Sequence, residues 1–198
     1  ENVFREMYAS NYNMGEFMYM VERVCYPSKM YIDIDKKDMS TDTKTTINYI
    51  CECFKENTIL ICTCTENNGI HFIFQDLYIK SPDEAILYLE NHKLTHLCDS
   101  SVYKSGLRMI GSRKPHLDRV YLPMYIYEKT KLKHMSNQIT SKSLEMCSIH
   151  VKNNLPYHTK QCWDKQMILK QTNSHASHAS ILSFINVNYM NCKIRKII

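Results

Sequence analysis

The sequence predicts an α+β domain with a mainly antiparallel sheet, on three observations. Segments with period-two alternation recur between residues 31 and 127. Two of them, Thr58–Thr65 and Ile70–Phe74, are separated by an Asn67-Asn68-Gly69 turn signal and leave no room for a helical crossover. Hydrophobic residues make up 44% of the 198 positions, enough for one sizeable core and too many for wholesale disorder.

The elements follow in order. Gly15 to Cys25 carries Phe17, Val21 and Val24 on one stripe, which predicts a helix ended by Pro27. Tyr31–Asp35 reads as a strand with Ile32 and Ile34 facing a core. Ser40 is a candidate cap for a helix to about residue 56, with Ile47, Ile50, Cys51 and Phe54 on its inner face. The hairpin follows. Ser81-Pro82-Asp83-Glu84 then combines a cap, a proline at the first helical position and a glutamate three residues after the cap, so a helix should run to His92. Leu94–Cys98, Leu107–Gly111 and Val120–Tyr127 read as further strands, the last two joined by a basic loop. The core is therefore expected to run β-α-β-β-α-β-β, over residues 1–130 and most clearly over 15–130. Residues 131–171 read as a C-terminal extension. Residues 172–198 open with a polar low-complexity linker and continue into an apolar, unpatterned tail.

A net charge of +5 permits a polyanionic partner without demanding one. The nine cysteines are odd in number and several sit in apolar runs, as in Ile61-Cys62-Thr63-Cys64. They read as small buried hydrophobes in a reducing, intracellular compartment. No apolar run is long enough to span a membrane and no secretory signal is evident. The chain begins at Glu1 instead of Met, so it is expected to be a fragment or a processed piece.

Chemistry concentrates at three places. Asp33 and Asp35 point the same way from one strand. Two like charges on a half-buried surface repel each other, and a bound cation relieves this; bare carboxylates favour Mg²⁺ or Mn²⁺. His71 follows Gly69 on the next hairpin, sharing a face with Ile73. Asp99 then stands at a predicted strand end, followed by Arg108, Arg113 and Lys114. Three of the four glycines, Gly69, Gly106 and Gly111, flank these polar sites. Carboxylates beside cations suit two-metal phosphoryl transfer, in which ions about 3.5–4 Å apart activate a hydroxyl and steady the leaving group. The tyrosines at 121, 125 and 127 are expected on one strand face, where they could stack on bases or pack on a helix.

The ordered set Asp33-Ile34-Asp35, Gly69-Ile70-His71 and Asp99 resembles the three motifs of the archaeo-eukaryotic primase superfamily. It is most similar to the primase domain of primase–helicases from large cytoplasmic DNA viruses. The run Asp99-x-x-Val102-Tyr103, then Arg108-x-x-Gly111-Ser112-x-Lys114, carries the likeness. The resemblance spans roughly residues 15–130. It implies an RRM-like sheet flanked by helices and template-directed nucleotidyl transfer as a DNA primase or polymerase. It also implies two Mg²⁺ or Mn²⁺ ions held by Asp33, Asp35 and Asp99. His71, Arg108, Ser112 and Lys114 would bind an NTP or dNTP. A single-stranded DNA template, a helicase domain or subunit outside this chain and a site in the host cytoplasm are further implications. Gly69 stands where relatives often have serine, and Arg23 or Lys29 would supply their upstream basic residue. No phosphate-binding loop of a helicase is present.

Cys147-x2-His150 and His158-x3-Cys162 have spacings that suit tetrahedral zinc, although Ser148-Ile149-His150 also resembles a Ser-Ile-Arg segment after the core in the viral proteins. A metal-dependent nuclease and a non-catalytic nucleic-acid-binding fragment are the alternative readings.

Overall fold

The computed structural model describes residues 2–35, 42–64, 69–114, 116–117 and 119–151. Strands β2 (Ser28–Ile34), β3 (Ile59–Cys64), β4 (Ile70–Ile79), β6 (Tyr121–Glu128) and β7 (Lys131–His134) form one sheet in the order β2-β4-β3-β6-β7. Every neighbouring pair in it is antiparallel. Strands β1 (Val21–Glu22) and β5 (Leu107–Arg108) form a separate antiparallel pair. Helices α1 (Asn2–Asn13), α2 (Thr43–Cys53), α3 (Pro82–Asn91), α4 (Val102–Ser105) and α5 (Ser141–Cys147) complete the domain. The α+β, antiparallel expectation is met.

The central strands β3 and β4 bury both faces over most of their length, so their sequences are nearly continuous apolar runs. In β4, Ile70, Phe72, Ile73 and Phe74 are all fully buried. One face meets α2, where Ile47, Ile50 and Cys51 are buried and Phe54 lies edge-on to Phe74 at 4.8 Å. On the other face Cys62 meets Cys147 of α5, and Tyr31 meets Tyr103 of α4. Helix α2 is capped by Asp42, which accepts from Thr45 N, in place of the expected Ser40, and it ends at Cys53, short of the expected residue 56. Helix α3 starts where its signals place it: Ser81 Oγ accepts from Glu84 N and the Glu84 carboxylate reaches back to Lys80 N.

Four further expectations need correction. Gly15 to Cys25 is extended, not helical. Its backbone is engaged elsewhere: Met18 O accepts from Arg113 N at 2.7 Å, Met20 O from Met109 N at 3.2 Å, and Val21 pairs with Arg108. Tertiary pairing thus overrides local periodicity. Leu94–Cys98 forms turns instead of a strand, because its amides bond locally, Leu94 N to Leu89 O and Leu97 N to Leu94 O. The strand expected over Leu107–Gly111 is only two residues long and lies outside the main sheet. Finally, the tyrosines do not share one face. A register shift between Ile61 and Cys62 sets Ile61 opposite Tyr125 but Cys62 opposite Pro123. The extra residue, Met124, rotates Tyr121 to the face of Cys62 and leaves Tyr125 and Tyr127 on the other.

Residues 131–151 add β7, an exposed edge strand, and α5, whose Thr140 and Ser143 form a capping box. No described helix is long and apolar enough to cross a membrane.

Candidate active site

Strand pairing lines up the site. Asp33 of β2 is directly opposite His71 of β4, and His71 is opposite Cys62 of β3. Directly opposed residues in a ladder share a face, so Asp33, His71 and Cys62 form one row. The His71 Nε2 lies 3.4 Å from Asp33 Oδ1. This is ion-pair reach without hydrogen-bond alignment, and Asp33 Oδ1 and His71 Nδ1 are both buried with no hydrogen-bond partner among the described residues.

Asp99 is brought to this row by backbone. Its N–H donates to Asp33 O at 2.9 Å. The Asp99 carboxylate then accepts from Ser101 N at 2.9 Å, turning the chain into α4. The Val102-Tyr103 pair has a physical role here. Tyr103 Oη donates to Tyr31 O at 2.6 Å, and Tyr31 Oη donates to Val102 O at 3.0 Å. These two buried bonds pin the Asp99 turn to β2.

Gly106 and Gly111 hold the cationic loop in place. Gly106 has φ +102° and lies so close to the Glu22 carbonyl that a β-carbon would collide with it. Gly111, at φ +75°, packs on the Tyr12 ring, 2.9 Å from where a β-carbon would sit. Both glycines therefore serve close packing of the loop that carries Arg108, Arg113 and Lys114.

The electrostatics couple the expected residues. Burial, then the charges of Asp35 and Asp99, push the Asp33 carboxyl up to about 7, while Arg108 and Lys114 pull it down. Burial and Arg108 hold the His71 imidazole well below its ordinary value, so it is neutral at pH 7. Asp35 and Lys114 are exposed, and Asp99 and Arg108 are half-buried.

Tyr121 joins the site without having been singled out for it. Its ring stacks on His71 with centroids 3.5 Å apart and planes 19° apart, and the Arg108 guanidinium stands 5.4 Å from its centroid. Burial, with Asp33 and Asp35, raises its hydroxyl pKa. The strand bulge that turns Tyr121 inward is a pairing feature, which explains why alternation alone placed it with Tyr125 and Tyr127.

Other expected residues lie differently. Ser112 is completely buried; its hydroxyl bonds Tyr8 Oη at 2.8 Å and accepts from Met20 N at 2.9 Å. Its side chain braces the loop from behind. Lys29 is buried, with Nζ donating to Gln75 Oε1 and Met146 O at 3.2 Å each, whereas Arg23 is exposed. Of the proposed zinc ligands, Cys147 has its sulfur 3.7 Å from Cys62 Sγ, and His150 Nε2 lies 3.5 Å from Glu22 Oε1. These two side chains thus face different neighbours; His158 and Cys162 lie outside the described residues, as does the linker near 172.

Among the described residues no three His, Cys, Asp or Glu side chains are already gathered around a single point for a metal. The donor chemistry at Asp33 nevertheless fits a hard divalent cation. A buried carboxylate with an unpaired oxygen, raised in pKa by two neighbouring carboxylates, is the group that a cation would stabilise. Comparison of the chain with family models and with curated proteins returns no match in either case.

Proposed function

We propose that this chain is the catalytic core of a primase–polymerase, transferring nucleotides on a single-stranded DNA template. The observation that carries the reading is the convergence on Asp33. His71 is its cross-strand partner, Asp99 is bonded to its backbone, and Asp35, Asp99, Arg108 and Lys114 all act on its charge. These residues come from three separated stretches of sequence. The return of the chain to the open edge of β2 at Asp99, after β2-α2-β3-β4-α3, also supports an RRM-like core.

In this reading Asp33, Asp35 and Asp99 would hold two Mg²⁺ or Mn²⁺ ions, which would supply Lewis-acid activation of a 3′-hydroxyl and positive charge for a pyrophosphate leaving group. Arg108 and Lys114 supply positive charge for the NTP or dNTP phosphates. Neutral His71 offers one ring N–H as a donor without adding charge. A helicase domain or subunit would be supplied from outside this chain.

The test is incorporation of labelled nucleotide on a primed and an unprimed single-stranded template with Mg²⁺ or Mn²⁺. Wild type should lengthen the labelled strand, and Asp33→Ala with Asp35→Ala should abolish this while the fold persists. Full activity in the double variant would sink the proposal. Shortening of the strand without nucleotide would favour a metal-dependent nuclease, against which the Arg108–Lys114 cations already weigh. Nucleotide binding with no turnover would favour a non-catalytic binding fragment.

A further inference from the structure

Phe17 is a large aromatic ring left 60% exposed, with the Arg113 guanidinium 3.9 Å above its centroid. Singly exposed apolar residues are common, but this one is held on a built framework. Its segment is zipped to the cationic loop by Arg113 N to Met18 O and Met109 N to Met20 O. Ser112, wholly buried, ties the two together through Met20 N and Tyr8 Oη. One ring face is covered by a cation and much of the ring remains open to solvent. The paired segments 16–22 and 107–114 carry three cations, Arg108, Arg113 and Lys114, against two carboxylates, Glu16 and Glu22. Glu22 is turned inward, accepting from Ser148 Oγ and Ile149 N. The local field therefore favours a polyanion.

We propose that Phe17 and Arg113 form a stacking platform for one base of a single-stranded nucleic acid. The base lies on the open part of the Phe17 ring, and its flanking phosphates meet Arg113 and Lys114. Aromatic rings accept any base because every base offers a π-face, and a guanidinium stacked on the ring adds charge for the backbone. The inference deepens the proposed function, on which it rests for its ligand, by placing a template contact outside the carboxylate row.

The experiment uses the whole chain and a fluorescent oligothymidylate of about twenty nucleotides, read by anisotropy in EDTA without nucleotide. Phe17→Ala should weaken binding about five- to tenfold with an unchanged salt slope, and Phe17→Trp should restore it. Arg113→Ala should weaken binding and lower the slope of log K against log salt by about 0.7. A duplex of the same length should bind Phe17→Ala and wild type equally. Single-strand binding by Phe17→Ala within twofold of wild type would overturn the platform, as would an equal loss on duplex. A chain that binds through Phe17 yet incorporates nothing refutes the proposed function alone. An active chain indifferent to Phe17 refutes the platform alone.

Discussion

The two ends of strand β2 both bury ionisable groups and treat them in opposite ways. At its start, Lys29 donates to Gln75 and Met146, and the nearby Glu22 carboxylate accepts from Ser148 and Ile149. Among the described residues Ser28 Oγ is a buried atom there without a hydrogen-bond partner, a neutral hydroxyl. At its finish, Asp33 Oδ1 and His71 Nδ1 are buried with no hydrogen-bond partner among the described residues, and three carboxylates share one neighbourhood. An unsatisfied neutral hydroxyl costs far less than an unsatisfied carboxylate. The first end is built to be stable. The second gathers like charge that Arg108 and Lys114 offset only in part, an arrangement that favours the proposed cation site at the expense of stability.

The sharpest way to break this contrast is Asp33→Asn. Incorporation should fall by on the order of 10³-fold, yet the metal-free protein should become more stable at pH 8. The sign follows from the folded-state pKa of about 7, above the ordinary aspartate value of about 3.9. The stability tied to the protonated carboxyl is complete below about pH 4 and is lost as pH rises through about 7. The asparagine variant has no such loss. Thermal melts in EDTA at pH 5 and pH 8 should therefore show the variant's advantage growing with pH. Each kcal/mol corresponds to roughly 2–4 °C for a domain of this size. An advantage independent of pH would remove Asp33 as its source.

The opposite end should answer in the opposite way. Lys29→Ala leaves Gln75 Oε1 and the Met146 carbonyl without their donor, so it should destabilise by about 2 kcal/mol, read as a lowered midpoint in urea. Nucleotide KM measured well below the melting temperature should not change. Lys114→Ala is the converse: it is exposed, so stability should hold while KM for nucleotide rises about tenfold. A Lys29 variant that raises KM without losing stability would erase the distinction between the two ends.

How much of this was legible depended on the range of the interaction. Helix α3 was readable because Ser81, Pro82 and Glu84 act within four residues of one another. Asp33 and His71 were each singled out by a local motif, but their facing positions were not legible, because they depend on β2 pairing with β4 across the intervening α2 and β3. Gly15 to Cys25 was misread because its stripe fits a helix, while its actual partners lie some ninety residues away at 107–113. Ser112 sits in the right motif, but its burial against Tyr8 depends on α1, an element the sequence did not signal. Gly106 and Gly111 were noticed as glycines flanking a polar site, whereas the close approach each permits is to the Glu22 carbonyl and the Tyr12 ring.

Tyr121 is the residue whose role only the bulge reveals, and its phenylalanine variant carries the smallest predicted effect. Stacked 3.5 Å from His71 and beneath Arg108, it can fix the plane of a neutral imidazole and the height of a guanidinium at once. Both contacts use the ring face and neither needs the hydroxyl. Tyr121→Phe should therefore leave kcat and KM within about twofold of wild type, whereas Tyr121→Leu should lower kcat/KM about tenfold by releasing both groups. Steady-state incorporation kinetics would separate the two variants. Equal losses in both would transfer the role from ring to hydroxyl, and no loss in either would reduce the stack to packing. Because Tyr121 touches His71 while Tyr125 and Tyr127 lie on the opposite face, Tyr125→Phe and Tyr125→Leu serve as matched controls that should leave the kinetics unchanged.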